Sequence, residues 1–260
     1  MVVARALNFA GEHSHLGNLR VSLVEGVATL VMQKTVSKTN SSKIEQLESE
    51  IVQRLTALPD FSAKNLRSLR REFSKRLKLE PAKLVLELAE KLVKHGQFQF
   101  RFMAYELALN HNLALSSVDS KRLVRLGKGM NSWVAVDMFG CYVAGPVWRE
   151  HQVDDELIKR WALSKDRWWR RAALVSTVPL NSKSLGGSGD TGRTIAICDI
   201  LVKDRDDMVV KAMSWALRKL AKQDRGAVTE FLKTHDSELA PRVIREVNNK
   251  LRTGLKNPRK

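Results

Sequence analysis

Cysteine and long apolar runs are both scarce in this sequence, and each scarcity excludes a class of protein. The 260 residues include two cysteines, Cys141 and Cys198, which are too few for a disulfide framework or for a zinc site with four thiolate ligands. The longest apolar run, Val21 to Met32, contains Glu25 and is shorter than the ~20 residues that a membrane-spanning helix needs. We therefore expect a reduced, cytoplasmic protein that does not insert into a membrane.

Motifs for metal and nucleophilic chemistry are also absent. The six histidines are scattered, and the chain has neither an HExxH nor a CxxC pair, so a zinc or iron site is not expected. It has no GxSxG segment, and Cys141 is flanked by apolar and small residues. Both cysteines are therefore predicted to pack in the core.

Acidic residues are strongly outnumbered by basic ones. The chain has 45 Lys and Arg residues against 28 Asp and Glu residues, a formal net charge of +17. Such an excess attracts polyanions over a long range. Basic clusters on one face would form a groove for a nucleic-acid backbone; the alternative is a basic surface that contacts only solvent. The 43% of apolar residues suffice for a core, which excludes disorder as a description of the whole chain.

Helical periodicity recurs along the chain from Ser41 onward, and no segment alternates as a strand would. Serine caps, prolines and glycines mark the ends of the segments. An all-α fold is therefore predicted. The predicted helices are one that Ser42 caps and that stops at Pro59, followed by Ser62–Leu77, Pro81–Gly96, Phe98–Leu109, Ser120–Leu126, Ser132–Ala144, Asp154–Ala162, Arg167–Val178, Thr191–Leu201, Met208–Gln223, Arg225–Thr234 and Pro241–Leu255.

Similar helical segments recur about every 40 residues, which is the period of two-helix HEAT-type repeats. Such antiparallel pairs stack into a curved solenoid with one concave face; an irregular helical bundle is the alternative. We divide the chain into an N-terminal extension of unknown role (residues 1–36), a HEAT-like repeat domain (residues 37–255) and a basic tail (residues 256–260). The glycine-rich stretch Asn181 to Arg193 is predicted to be a flexible loop between helices. Its glycines do not follow a strand, so they do not indicate a nucleotide site.

Three of the recurring segments place unusual side chains at comparable positions. Trp133 and Asp137 are four residues apart and would share one face of a helix. An aromatic face beside a carboxylate suits a cation, or a substrate that becomes cationic. Arg171 and Trp215 occupy comparable places in the next two repeats, so a solenoid would align all four residues along its inner face. Burial in the core is the alternative for the tryptophans.

The segments that carry these residues resemble those of a known family. NSWVAVDMFG (residues 131–140), DRWWRRAALVS (residues 166–176) and KAMSWALRKLAK (residues 211–222) are similar in order and separation to motifs of the DNA alkylation repair enzymes, the AlkD-like DNA glycosylases built from HEAT-like repeats. The resemblance extends over about residues 40–250. The first 36 residues have no counterpart, and the glycine-rich loop resembles an insertion.

The resemblance implies an activity and a role for each site residue. The activity is hydrolysis of the N-glycosidic bond of N3- or N7-alkylated purines in duplex DNA, which initiates base-excision repair without a metal or organic cofactor. Asp137 would be the catalytic carboxylate, Trp133 and Trp215 would pack against the sugar, and Arg171 would hold a phosphate next to the lesion.

Further basic residues are candidates for contacts to the DNA backbone, and the partner expected is double-stranded DNA that contains alkylated bases, bound by a monomer. These candidates are Lys128, Arg149, Lys211, Arg218 and Lys222. One alternative is a non-catalytic HEAT-repeat module that binds damaged or branched DNA. Another is a protein-interaction scaffold, against which the net charge argues unless its partner is acidic.

Overall fold

The computed structural model describes residues 40–258, and within this range every regular element is a helix. The predictions for the N-terminal extension and for the end of the basic tail lie outside the described residues. No strand occurs between residues 40 and 258, so the prediction of an all-α fold is confirmed. None of the described helices is long and apolar enough to cross a membrane.

The helices follow one another with short connections, and the second of two structural units begins at Glu50. The helices are α1 (residues 40–56), α2 (Ala63–Leu77), α3 (Ala82–Lys94), α4 (Phe98–Leu109), α5 (Ser120–Gly127), α6 (Trp133–Phe139), α7 (Gly145–Arg149), α8 (Asp155–Ala162), α9 (Arg167–Asn181), α10 (Thr191–Ile200), α11 (Asp207–Leu220), α12 (Arg225–Thr234) and α13 (Pro241–Thr253). Short 3₁₀ turns cover Leu115–Ser117 and Lys183–Leu185, and a π-helical segment, Gly140–Ala144, joins α6 to α7.

Polar side chains fix where many of these helices begin. A side-chain oxygen at the N-cap accepts a hydrogen bond from a backbone N–H of the first turn, which has no partner inside the helix. Local sequence therefore sets these boundaries. The capping residues are Ser62, Asp119, Ser132, Asp166, Asp190, Asp206 and Asp224.

Three of the predicted boundaries that differ from the structure involve a cap or a proline. Ser42 is not a cap, because the chain is already helical at residue 40. Pro81 occupies the N-cap position of α3 and not its first turn. Helix α9 does not end at Val178 but continues through Pro179 to Asn181. The Asn181 amide there donates hydrogen bonds to the Thr177 carbonyl and the Thr194 hydroxyl, and these bonds hold the last turn of α9 beyond the proline.

From α2 onward the helices form two layers. Helices α4, α6, α9, α11 and α13 make one layer, in which each helix packs on the next. In the other layer α3 packs on α5, and α8 packs on α10. The two layers are joined by pairs of successive helices, such as α3 with α4, α8 with α9 and α12 with α13. Helix pairs that stack in this repeated way form an all-α solenoid, as the period of the sequence predicts.

Two glycines bring α6 and α7 unusually close to α9. A Cβ built on Gly140 would lie 2.7 Å from Cγ1 of Val175, and one built on Gly145 would lie 2.6 Å from the carbonyl oxygen of Ser176. Since real Cβ atoms do not approach this closely, the packing requires glycine at both positions. The π-helical segment between these glycines interrupts the helix predicted for Ser132–Ala144. Such segments are frequent at functional sites.

A cluster of aromatic side chains packs between α6 and the neighbouring helices α4, α8 and α9. The ring of Phe139 lies 5.7 Å from that of Tyr105, 5.8 Å from that of Trp161 and 6.1 Å from that of Trp169, centroid to centroid. Trp161 is buried. These contacts fix the end of α6 against α4, α8 and α9, and thus position the helix that carries Asp137. Both cysteines are buried, as predicted.

Candidate functional site

Asp137 and Arg171 form an ion pair between α6 and α9. The Arg171 side chain donates from Nε to Oδ1 and from Nη2 to Oδ2 of Asp137, each at 2.9 Å. Its Nη1 donates to the Met208 carbonyl in the first turn of α11. The guanidinium therefore joins three successive helices of one layer. This bidentate geometry fixes the plane and position of the carboxylate.

The two members of the pair differ in exposure. The Arg171 side chain is 6% exposed, whereas that of Asp137 is 20% exposed, so the carboxylate is the member that solvent or a ligand reaches. Burial raises the pKa of Asp137 above its ordinary value, and the hydrogen bonds and positive charge of Arg171 act in the opposite direction. Arg171 thus favours the ionised form of a carboxylate that burial disfavours.

Trp133 lies one helical turn before Asp137, at the start of α6, where the side chain of Ser132 caps the helix. Its side chain is 55% exposed, although most large aromatic residues of the same unit are buried. The four-residue spacing places it on the same face of α6 as Asp137. An exposed indole therefore lies beside the reachable carboxylate, as the sequence predicts.

Trp215 lies on α11, the helix that packs on α9 and supplies the Met208 carbonyl to Arg171. Trp215 and Met208 are seven residues apart, which is two helical turns, so they lie on the same face of α11. Trp215 is half-buried. Of the four predicted site residues, Asp137 and Arg171 are in direct contact, and the two tryptophans lie on helices that these two residues connect.

A group of polar residues lies near the C-terminal ends of α9 and α11, and of these only Lys222 was predicted as a site residue. Lys219 is one helical turn after Trp215, and its Nζ lies 3.4 Å from the Ser182 hydroxyl. Lys219 and Asp137 both act electrostatically on the Cys141 thiol, with opposite effects on its pKa. The polar group lines a cavity of about 400 Å³, whose lining residues are Asn181, Ser182, Lys183, Ser184, Lys219, Lys222 and Gln223.

The glycine-rich loop, predicted to be flexible, is hydrogen-bonded to its surroundings. The Asp190 N–H donates to Oδ1 of Asn181 at 2.9 Å, and Gln223 Nε2 donates to the Asn181 carbonyl at 3.1 Å. Arg149 donates from Nη1 to the Leu185 carbonyl at 2.6 Å. The loop is therefore attached to α7, α9 and the end of α11.

The predicted DNA-contact residues are in three different situations. Lys128 and Lys222 are exposed, and neither side chain has a hydrogen bond or ion pair among the described residues. Lys211 pairs with Asp207 at 2.6 Å, and Arg149 pairs with Glu150 as well as with the loop carbonyl. Arg218 is partly buried and donates to the Ser214 hydroxyl at 3.2 Å, and burial lowers its pKa.

Among the described residues, no group of three or more His, Cys, Asp or Glu side chains is arranged to hold a metal ion. Burial raises the pKa of the Cys141 thiol to about 12, which keeps it protonated and unsuited to act as a nucleophile. The reactive groups of the site are therefore the Asp137 carboxylate and the charges and indoles around it.

Comparisons with known proteins find one family and one related fold. A family model described as DNA alkylation repair enzyme matches residues 61–251. A solved structure described as a predicted DNA alkylation repair enzyme from Enterococcus faecalis has a TM-score of 0.59 and 20% sequence identity, and the match covers 74% of this chain and 87% of that chain. At this identity the structural likeness concerns the fold alone. A search of curated proteins finds no match.

Proposed function

The chain belongs to the DNA alkylation repair enzyme family, and from this premise we propose that it hydrolyses the N-glycosidic bond of N3- or N7-alkylated purines in duplex DNA, the first step of base-excision repair. The observation that carries the proposal is the bidentate Asp137–Arg171 pair beside the exposed Trp133. It supplies an oriented, ionised carboxylate next to an aromatic face. These are the groups that the departure of a cationic base from a sugar requires.

The proposed chemistry follows from the charges involved. Alkylation at N3 or N7 makes the purine cationic and therefore a better leaving group. As the bond to the sugar breaks, the base takes the bonding electron pair and the sugar becomes an oxocarbenium-like cation. The Asp137 carboxylate stabilises that cation, and the partly water-excluded site strengthens the interaction. The Asp137 carboxylate also orients the water molecule that adds to the sugar. The indole faces of Trp133 and Trp215 attract the same positive charge.

Arg171 has a different main role in this proposal from the one that the family resemblance implies. Three of its N–H groups are taken by Asp137 and the Met208 carbonyl, and the side chain is 6% exposed. We therefore assign it to orienting the carboxylate and keeping it ionised. A phosphate contact would use only its two remaining N–H groups.

The DNA backbone would be held by cations that the protein does not already neutralise. Lys222 and Lys128 are exposed, and Lys219 lines the cavity behind the glycine-rich loop. We assign these three to phosphate contacts, because counterion release by unpaired cations drives binding to DNA. Arg149 and Lys211 contribute less, since each is already engaged by an acidic side chain.

Release of free bases from methylated duplex DNA, measured by chromatography, tests the proposal. We expect 3-methyl or 7-methyl purines to be released by the wild-type protein. Asp137→Asn should lower the rate by about 10²-fold to 10³-fold, since one preorganised electrostatic group is lost, and should leave DNA affinity nearly unchanged. Asp236→Asn, at an exposed acid on the turn after α12, is the matched control.

Two results would contradict the proposal. Equal release by the wild type and Asp137→Asn would exclude Asp137 as the catalytic carboxylate. No release by either protein, together with binding that weakens steeply with salt, would favour a non-catalytic module that binds damaged or branched DNA.

A further inference from the structure

Arg101 is a buried cation that has no acidic partner among the described residues. It is 2% exposed and lies in the second turn of α4, within the apolar segment FQFRFMAYELAL. Its Nη1 donates to the Tyr105 hydroxyl at 3.0 Å and its Nη2 to the Lys128 carbonyl at 2.9 Å. No carboxylate of the described residues lies within ion-pair distance, and its buried Nε has no hydrogen-bond partner.

A guanidinium stays protonated even when it is buried, so this charge needs compensation that the described part of the protein does not provide. Neutral oxygens from Tyr105 and Lys128 satisfy only two of its five N–H groups. An anionic ligand would supply the missing charge and accept the remaining hydrogen bonds.

Arg101 lines a cavity of about 460 Å³ whose other lining residues are Glu90, Val93, Lys94, Gly96, Arg125, Lys128 and Gly129. The cavity is strongly cationic. Its single carboxylate, Glu90, is already bonded to both Arg122 and Arg125 at 2.7 and 2.8 Å. Lys94 and Lys128 are exposed, and their side chains have no hydrogen bond or ion pair among the residues described. Their positive charges add to that of Arg101.

Gly129 lies directly against the guanidinium. Gly129 has a φ of 72°, and a Cβ at this position would lie 3.3 Å from Nη2 of Arg101. A side chain at residue 129 would therefore strain the backbone and crowd the guanidinium. Glycine at this position keeps one side of the buried charge free of a side chain.

The position of the cavity indicates which anion it takes. Lys128 is five residues before Trp133, so their Cα atoms are at most ~18 Å apart. One DNA strand rises ~3.4 Å per nucleotide along the helix axis, so this distance corresponds to about five nucleotides. The strand that presents its base to Asp137 thus carries phosphates over a length that covers this distance.

We propose that the cavity around Arg101 binds a backbone phosphate of DNA, within about five nucleotides of the base at Asp137. The inference rests on the proposed function for the position of that base. The phosphate accepts hydrogen bonds from Arg101, and Lys94 and Lys128 contribute charge at the opening. The contact fixes the register of the duplex relative to the Asp137 site but reads no base.

Neutral backbone substitutions test the proposal on the full chain. Each duplex of a set carries a stable abasic-site analogue and one uncharged methylphosphonate. The methylphosphonate is placed one nucleotide further along the strand in each successive duplex. The affinity of the protein for each duplex is measured by fluorescence anisotropy. For the wild type we expect a three- to tenfold loss at one position within about five nucleotides of the analogue. The double variant Lys94→Ala/Lys128→Ala should bind the unmodified duplex about as weakly as the wild type binds the duplex with the methylphosphonate at that position. The double variant should also be insensitive to a methylphosphonate there.

Two further variants serve as internal checks. Arg101→Met, with its fold verified by circular dichroism, should show the same insensitivity. If it does not fold, the lysine double variant still decides, because both lysines are exposed. Lys64→Ala/Lys233→Ala, at exposed lysines of α2 and α12, should keep the wild-type pattern.

Two outcomes would overturn the inference. In one, the lysine double variant keeps the wild-type sensitivity at every position. In the other, inorganic phosphate raises the melting temperature of the wild type but not of Arg101→Met, and DNA does not compete with the phosphate for binding. The cavity would then be a site for free phosphate. Neither measurement involves base release, so loss of the proposed glycosylase activity and loss of this phosphate contact are separate results.

Discussion

The two carboxylate oxygens of Asp137 each accept a hydrogen bond of 2.9 Å from Arg171, on a helix 34 residues further along the chain. This pair combines two opposing effects on one group. Burial raises the pKa of Asp137, and Arg171 limits the rise. Arg171 thereby favours the ionised form of a carboxylate that is only 20% exposed, and a charge in such a partly buried position acts strongly on a nearby cation.

Replacing Arg171 should therefore change the pH dependence of base release. Release requires ionised Asp137, so the rate falls as the pH is lowered through the pKa of this carboxylate. In Arg171→Met the opposing charge and two hydrogen bonds to Asp137 are lost, so the pKa of Asp137 rises further. The acidic limb of the pH–rate profile, where the rate falls as the pH is lowered, therefore moves to higher pH. We expect a loss of about 10²-fold in rate because the carboxylate is also misplaced. The measurement is the single-turnover rate as a function of pH.

Two further variants separate this effect from general damage. Arg171→Lys retains the charge and should keep the acidic limb closer to that of the wild type. Arg170→Met removes the neighbouring ion pair with Asp204 and should leave the limb unchanged. An acidic limb that is identical in Arg171→Met and the wild type would show that Arg171 does not control the ionisation of Asp137.

The sequence predicts the Trp133–Asp137 half of the site because their relation is local. Four residues along a helix is a fixed geometry, whatever the helix packs against. The pairing of Asp137 with Arg171 depends instead on how closely α6 approaches α9, which the contacts of Gly140 and Gly145 set. Spacing shows that these helices belong to successive repeats but does not show which side chains meet.

The residues that sequence analysis missed carried weaker signals. Lys219 follows Trp215 by four residues, the same spacing as that of Asp137 after Trp133, and this was the available indication. Arg101 is a charge inside a mostly apolar helix, a pattern that points to a buried cation. Nothing in the sequence indicates the contribution of Ser182, because its contact with Lys219 depends on the path of the glycine-rich loop.

Lysines on α11 and in the turn that follows it should differ in their contribution to DNA binding. Lys219 and Lys222 have no acidic partner among the residues described, whereas Lys211 is paired with Asp207 at 2.6 Å. We expect Lys219→Ala/Lys222→Ala to reduce the slope of log K against log salt by about one to two. Lys211→Ala, the matched control on α11, should change it by less than half as much, since its charge is already compensated.

Titration of fluorescent undamaged duplex at several salt concentrations measures both slopes. Equal slopes for the double variant and the wild type would exclude the cavity near Ser182 as a contact to the DNA backbone. A larger effect for Lys211→Ala than for the double variant would mean that the Asp207 pair opens when DNA binds.

The close approach of α7 to α9 makes a prediction about stability. A Cβ on Gly145 would lie 2.6 Å from the Ser176 carbonyl oxygen and 2.6 Å from Cγ of Pro179. Since the backbone oxygen cannot move aside alone, Gly145→Ala forces the helices apart and should lower the free energy of unfolding by about 1–3 kcal/mol. Gly192→Ala is the control, because a Cβ there meets nothing within 4 Å and alanine is a better helix former than glycine.

Urea unfolding at 25 °C measures both changes. We expect a lower midpoint and an unchanged slope for Gly145→Ala, and for Gly192→Ala a midpoint equal to or slightly above that of the wild type. Equal stability of the two variants would mean that α7 has room to move away from α9 at no cost. The position of Asp137 would then not depend on that packing, and the contact of α6 with α9 at Gly140 alone would have to hold the ion pair with Arg171.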